Sequence, residues 1–298
     1  MEVVSASRGG LALPIESETE VEEPIRILSD LHLGHHASLA REIGQIEPLY
    51  KDAATVIFNG DTVEMRSERN RERAVQIMQR VDEFCRAQKA ATHFINGNHD
   101  PIISTVNHIE LGAGNLLVTH GDALFHEVET SWDVRAWDEP EENDPGACAP
   151  AAADLERLVS ILSANKRAAP GHDIAHFDIP NGTWGQFTTF MKQTWPPKNL
   201  VRMVSSWRNN PMHALNLVRM YHPTARCMIV GHTHRPGIWH ENGYCVINTG
   251  SYLPVLGRMA VDYENGVVTA RKVVFRRRRF HLGQVIARVE INGRLREA

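Results

Sequence analysis

Residues 227–234 read "CMIVGHTH": four apolar residues, a glycine, and two histidines separated by one threonine. The apolar run has the length and composition of a strand covered on both faces. Five further runs repeat the arrangement, each closing on small or polar residues: "IRILSD" at 25–30, "TVIFNGD" at 55–61, "HFINGNHD" at 93–100, "LLVTHGD" at 116–122 and "CVINTGS" at 245–251. Between the second and third, "SERNRERAVQIMQRVDEFCRAQKA" at 67–90 sets Val75, Met78, Val81, Phe84 and Cys85 at helical spacing. Short buried strands mixed with helical pattern predict an α/β or layered α+β domain. "WHENGYCV" at 239–246 and "VDYENGVV" at 261–268 carry Asn-Gly between apolar flanks, which predicts two hairpins.

The bulk properties narrow the class. A chain of 298 residues with 42% hydrophobic and 23% charged residues is long enough to bury a substantial core. Its formal net charge of −4 argues against a whole-surface attraction to nucleic acid. Cys85, Cys148, Cys227 and Cys245 show no C-x-x-C spacing, which suits reduced thiols in the cytoplasm. No apolar stretch approaches the ~20 residues of a membrane span.

Four segments follow from composition. Residues 1–23 read as an acidic, solvated tail, and residues 24–275 as the main domain. A mostly helical insertion at about 127–225 interrupts it. There Leu155, Leu158, Ile161 and Leu162 share one helical face, Phe187, Phe190 and Met191 another, and Pro211 takes a first helical position after Asn210. Residues 276–298 read as a basic C-terminal extension. The run "FRRRRF" at 275–280 is a solvated face on the plain reading and a contact for an anionic membrane surface or for nucleic acid on the sharper ones.

The strand-end residues are Asp30 and His32, Asp61, Asn98 and His99, His120, and His232 and His234. In open α/β sheets ligands gather beyond the carboxyl ends of the strands, so neighbouring strands would bring this set together. A lone D-x-H is mostly chance, whereas the ordered series is not. Carboxylates, imidazoles and an amide suit manganese, iron or zinc better than calcium. The donors are too many for one ion. Two ions ~3.5–4 Å apart can share a carboxylate and clamp both oxygens of a phosphoryl displacement.

The series D-x-H, G-D-x-x-E, G-N-H-D, "THGD" and G-H-T-H resembles the calcineurin-like metallophosphoesterases. That resemblance implies a four-layered α/β/β/α sandwich, here with a helical cap, around a binuclear centre of two divalent metal ions, manganese first. It implies that Asp30, His32 and His234 hold one metal, that Asn98, His120 and His232 hold the other, and that Asp61 bridges. It also implies a metal-bridging hydroxide as nucleophile and His99 as the acid for the leaving oxygen. Within the family, "DLHLGHH", "THGD", the insertion, "GHTHRP" and a late "GS" are similar to UDP-2,3-diacylglucosamine pyrophosphohydrolases of lipid A synthesis. Those enzymes typically carry Arg where this chain has His99. The implied partner is a phosphorylated small molecule or a nucleotide-diphosphate-type substrate.

Glu64, three residues after Asp61, is read as the carboxylate that orients His99 rather than as a surface acid. Arg235 is a candidate phosphate contact. Trp184 and Trp195, with Phe187, Phe190 and Trp207, are candidates for an apolar wall facing the site. A non-catalytic metal-binding scaffold on the same fold is the rival of another class. Its signature is a missing ligand or acid, and all seven ligand positions and His99 are present.

Overall fold

The computed structural model describes residues 21–65, 68–122, 124, 211, 214–216, 224–254 and 257–291. The helical faces expected at 155–162 and 187–191, together with Trp184, Trp195 and Trp207, lie outside the described residues. The chain first forms β1 (Ile25–Leu28), α1 (Glu47–Tyr50), β2 (Thr55–Asn59), α2 (Glu68–Ala87) and β3 (Ala91–Ile95). Then come β4 (His108–Leu111), β5 (Leu116–Thr119), β6 (Cys227–Val230), β7 (Gly237–Glu241) and β8 (Tyr244–Asn248). β9 (Met259–Glu264), β10 (Val267–Arg276) and β11 (Arg279–Glu290) complete the series. Among the described residues no helix is long and apolar enough to cross a membrane.

All six apolar runs are strands, and both Asn-Gly pairs turn hairpins, β7–β8 and β9–β10. The strands divide between two sheets. One has the order β11-β10-β9-β1-β2-β3, the other β4-β5-β6-β8-β7. β1, β2 and β3 run parallel in the first, and β5, β6 and β8 run parallel in the second. Side chains alternate across each strand, as a pleat requires. Ile25, Ile27, Ile57 and Ile95 of the first sheet pack against Leu116, Val118, Cys227, Ile229, Cys245 and Ile247 of the second. Leu28, Val56 and Phe58 point the other way, onto Leu49 of α1 and Ala74, Met78, Val81 and Cys85 of α2. On the far face of the second sheet, Leu117, Met228, Val230 and Val246 meet Ala214 and Leu215 of a helical stretch. The layers are therefore α/β/β/α.

Two strands have no counterpart in either the apolar runs or the predicted hairpins. β4 is short and half-buried. β11 belongs to the segment read as a basic extension, yet it pairs with β10 from Arg279 to Glu290. It also buries Phe280, Val289 and Ile291, the residue after it. The domain thus extends past residue 275, to at least Ile291. An edge strand exposes one side of its ladder and needs no continuous apolar run, and this one is broken by a bulge near Gly283. Toward the other end Val21, three residues before Pro24, packs against the inter-sheet core.

Phe280 anchors the last hairpin. Its ring lies 5.0 Å from Tyr252 and 4.7 Å from Phe275, with the Arg258 guanidinium 5.3 Å above it. Phe280→Ala should cost about 3–5 kcal/mol, the usual loss for a buried Phe. Urea unfolding will check this, since a surface extension would lose almost nothing.

Candidate metal centre

The site forms where the carboxyl ends of the parallel strands in both sheets meet. Asp30 and His32 follow β1, Asp61 follows β2, and Asn98 and His99 follow β3. His120 follows β5, and His232 and His234 follow β6 from the facing sheet. The structure thus brings all eight strand-end residues of the sequence reading to one place, across two sheets rather than along one.

Local backbone shape is unusual here. Asp30, His32, Asp61, His232 and His234 have φ of 52°, 48°, 51°, 64° and 58°, in the left-handed region that non-glycine residues seldom adopt. In both D-x-H and H-x-H the two ligand-type residues turn left-handed around a single spacer, which aims both side chains inward. The motif glycines answer a different need. A Cβ on Gly97 would stand 2.3 Å from Asp61 Oδ1, and one on Gly231 would stand 2.1 Å from Asp30 Oδ2. Each glycine lets a neighbouring carboxylate occupy the space a side chain would fill.

The donors crowd together. His32 Nε2 lies 3.2 Å from His234 Nε2, and His234 Nε2 lies 3.2 Å from Asp30 Oδ1. Asp30, His32, Asp61 and His234 each offer an atom within 4.8 Å of the others. Beside them, Asn98 Oδ1 lies 3.3 Å from His120 Nε2 and 3.0 Å from His232 Nδ1, and His120 Nε2 lies 3.3 Å from Asp61 Oδ1. Ligand atoms about 2.1 Å from a shared ion stand about 3.0–3.4 Å apart, so these spacings fit metal coordination. Asp61 carries the most telling atom. Its Oδ1 accepts the His99 backbone N–H at 2.8 Å, while its buried Oδ2 accepts no hydrogen bond. A buried carboxylate oxygen without a donor fits a cation.

His99 and Glu64 stand at the side of this cluster. His99 Nδ1 lies 2.8 Å from Glu64 Oε2, and His99 Nε2 lies 3.8 Å from Asp61 Oδ2. His32, Glu64 and His99 form a second group of donors within 4.8 Å. Arg235 is half-buried directly after His234.

Several positioning residues were not singled out in the sequence reading. Asp100, the last residue of "NGNHD", accepts N–H groups of Asp61 at 2.9 Å, Thr62 at 2.7 Å, Val63 at 3.2 Å and Gly97 at 2.9 Å. It ties the loop after β2 to the loop after β3. Burial first, and Asp61 second, push its carboxyl up to about 6. Asn59 donates from Nδ2 to Thr119 O at 2.9 Å, and its own carbonyl lies 2.9 Å from His120 Nδ1. Ser29 bonds to Asp30 and to Thr249 beyond β8. The available signal was position: Asn59, Asp100 and Thr249 lie at the same strand ends as the ligand-type residues.

Protonation follows from the crowding. Burial, reinforced by the neighbouring His99, holds His32 well below the usual imidazole range, so it is neutral. Burial would raise Asp61, but His120 and then His99 outweigh it and hold the carboxyl well below its usual range. Burial would lower His120, yet Asp61, with Asp30 and Asp122 behind it, pushes the imidazole up to about 10. Without metal, His120 is therefore protonated at neutral pH, whereas an imidazole ligand must be neutral. Adding Mn²⁺ near pH 8 should release a proton from His120, and the release should fade as pH rises through about 10. Titration calorimetry in buffers of different ionisation enthalpy will measure it, and binding with no proton release would remove His120 from the ligand set.

No curated protein sequence matches the chain. Among solved structures, the chain resembles vacuolar protein sorting 29 from Cryptosporidium parvum at 11% identity and a TM-score of 0.40, covering 89% of this chain and 97% of that one. It resembles a dimetal phosphatase from Danio rerio at 12% identity and a TM-score of 0.42, covering 84% and 96%. It also resembles the phosphoesterase Yfce from E. coli at 14% identity and a TM-score of 0.39, covering 90% and 99%. The family profile described as calcineurin-like phosphoesterase matches residues 23–236, a span that takes in every strand-end donor from Asp30 to His234, and the chain belongs to that family.

Proposed function

We propose that the protein is a metal-dependent phosphoesterase that hydrolyses a phosphate ester at a two-metal centre, with His99 as general acid. The observation that carries this reading is the His99–Glu64 pair, 2.8 Å apart, with His99 Nε2 on the metal-donor side 3.8 Å from Asp61 Oδ2. In this assignment Asp30, His32 and His234 would hold one ion, Asn98, His120 and His232 would hold the other, and Asp61 would contribute to both. Mixed nitrogen and oxygen donors favour manganese, with iron and zinc as alternatives. Bound metals supply Lewis-acid stabilisation of the phosphoryl oxygens and activate water at neutral pH.

The chain's own residues do the rest. Glu64 holds Nδ1 of His99 and so fixes the ring with Nε2 toward the reacting groups. As the oxygen of water joins phosphorus and the ester P–O bond breaks, the Nε2 proton passes to the leaving alkoxide. The products are an alcohol and a phosphate, and the imidazole regains the proton that water gave up. Arg235 is placed next in chain to a ligand and serves as a phosphate contact. Trp184 and Trp195 remain the proposed apolar wall on sequence grounds.

The pair also bears on the substrate class. An alkoxide is strongly basic and leaves poorly without a proton. The phosphate released from an anhydride, with a second pKa of about 6, needs little help. A dedicated acid therefore supports ester over pyrophosphate hydrolysis. Hydrolysis of a UDP-2,3-diacylglucosamine-type pyrophosphate is the alternative, carried by "DLHLGHH" and "GHTHRP". Monoester, diester and nucleotide-diphosphate substrates turned over side by side with Mn²⁺ will separate them. Preferred cleavage of the anhydride would replace the ester reading.

Two variants test the assignment. Asp61→Asn should leave the purified protein with less than its full complement of metal, read by elemental analysis. Full loading with normal turnover would end the bridging role. His99→Ala should lower kcat by roughly 10²–10⁴ with metal content intact. The loss should be large for alkyl phosphates and small for nitrophenyl phosphate, whose leaving group needs no proton. Equal losses on both would show that His99 is not the acid.

A further inference from the structure

Among the described residues, three tight hairpins turn through two central residues with left-handed backbone. The β7–β8 turn uses Asn242 and Gly243 at φ 50° and 82°, and the β9–β10 turn uses Asn265 and Gly266 at 51° and 74°. These are the residues such a turn favours, since they tolerate positive φ. The β10–β11 turn has the same backbone, with Arg277 at 50° and Arg278 at 63°. Arginine has no conformational claim on either position. Among the described residues these turns use the favoured pair twice and depart from it only where guanidinium groups stand at a tip.

The tip has a defined composition. Arg276 pairs in register with Arg279, and Phe275 with Phe280. Arg279 is engaged with Glu47 at 3.2 Å. Arg276, Arg277 and Arg278 are exposed and have no acidic partner among the described residues. Phe280 is fully buried, whereas Phe275 beside it is 48% exposed, a large aromatic left in water next to unpaired cations.

Register fixes where the tip stands. Ile27 of β1 and Ala270 of β10 both pair with Val261 of β9, so β10 runs in the direction of β1. From that level β1 continues one residue to Leu28, while β10 continues six to Arg276. The hairpin therefore reaches about five residues, roughly 15 Å of extended chain, past the strand end that carries Asp30. The arginines stand on the rim of the metal-centre end.

We propose that this hairpin tip docks the protein on an anionic phospholipid surface, with the metal-centre end turned toward the bilayer. A convex two-residue turn has no walls to enclose a free phosphate. It also offers a point rather than the basic track a polynucleotide backbone follows. A planar anionic surface meets such a point well, and the half-exposed Phe275 supplies an apolar contact at the depth where aromatic rings settle.

The test is co-sedimentation of the full chain with vesicles of phosphatidylglycerol and phosphatidylcholine, against phosphatidylcholine alone. Binding should appear only on the anionic vesicles and weaken as salt rises. Arg277→Asn combined with Arg278→Gly installs the favoured turn while removing two charges. Its Tm should hold or rise, its turnover of nitrophenyl phosphate should be unchanged, and its vesicle affinity should fall roughly 30-fold, about 1 kcal/mol per lost charge. Phe275→Ser leaves the turn untouched and should also weaken vesicle binding at constant Tm. The proposal is overturned if the parent ignores anionic vesicles at low salt, or if the double variant binds them as the parent does. Displacement by millimolar glycerol phosphate would make the tip a free-phosphate site instead, and binding of RNA with vesicles ignored would assign it to polynucleotides.

Discussion

Asp30 and Asp61 are withdrawn from water at the one place where the strand ends of both sheets meet, each no more than 1% exposed. An ionised carboxylate tolerates burial only when other groups answer its charge. Each answering group here comes from a different element. Asp30 takes the His232 N–H from beyond β6 and the hydroxyl of Ser29, the residue before it. Asp61 takes the His99 N–H from beyond β3 and faces the His120 imidazole from beyond β5. The register of β1 against β2 and the separation of the sheets must both be right for the two charges to be met. Leaving one such charge unanswered costs about 3–5 kcal/mol.

That demand explains polar residues which otherwise sit awkwardly in a core. Asn59 is buried between the sheets, and its amide reaches Thr119 O and, at 3.5 Å, Ile229 O. It stitches the end of β2 to the ends of two strands in the facing sheet. Asn248, at the end of β8, ties down the loop after the neighbouring β6 of its own sheet, donating to Gly231 O at 2.7 Å and Thr233 Oγ1 at 2.9 Å. Asp100 gathers four backbone N–H groups into one carboxylate, so the loop carrying Asp61 cannot shift without breaking several charge-assisted bonds together. The donors facing the metal space are thus held by a frame that does not itself reach it. Residual need is concentrated in Asp61 Oδ2, which the protein leaves without a donor.

How much of this the sequence disclosed depends on whether the relevant force is local. A strand buried on both faces needs a continuous apolar run, so "IRIL", "TVIFN" and "CMIV" announced themselves. A tight turn with positive φ favours Asn-Gly, so two hairpins were legible as well. Partition of the strands into two sheets was legible only through the family resemblance, because a run covered by a helix and a sheet looks the same as one in any other buried sheet. β11 was hidden for the opposite reason. As an edge strand it alternates Phe280 and Val289 with exposed arginine, glutamine and glutamate, and composition alone read it as a tail. The ligand-type residues were visible because each closes an apolar run. Asp100 was not, because an acid that only receives backbone N–H groups looks in sequence like any loop aspartate.

The backbone offers a criterion the residue pattern lacks. Among the described residues, eleven non-glycine positions have positive φ. Lys89 caps the end of α2, where Ala90 N–H returns to Cys85 O at 3.0 Å, and Ala113 lies between two glycines in the β4–β5 turn. Asn242 and Asn265 occupy hairpin turns that suit them. The remaining seven are Asp30, His32, Asp61, His232 and His234 at the metal centre, and Arg277 and Arg278 at the basic tip. Histidine and arginine in this region cost about 1–3 kcal/mol each. A chain that follows local preference at its caps and ordinary turns can sustain that strain only where surrounding contacts hold it. At the metal centre those contacts are visible: His32 N–H bonds to Asp61 O at 2.9 Å and His232 N–H to Asp30 Oδ1 at 3.1 Å, so strain at one ligand is held by the next. At the tip the register of Phe275 with buried Phe280 performs the same service one pair below the turn. Among the described residues, strain held in this way is confined to these two parts of the molecule.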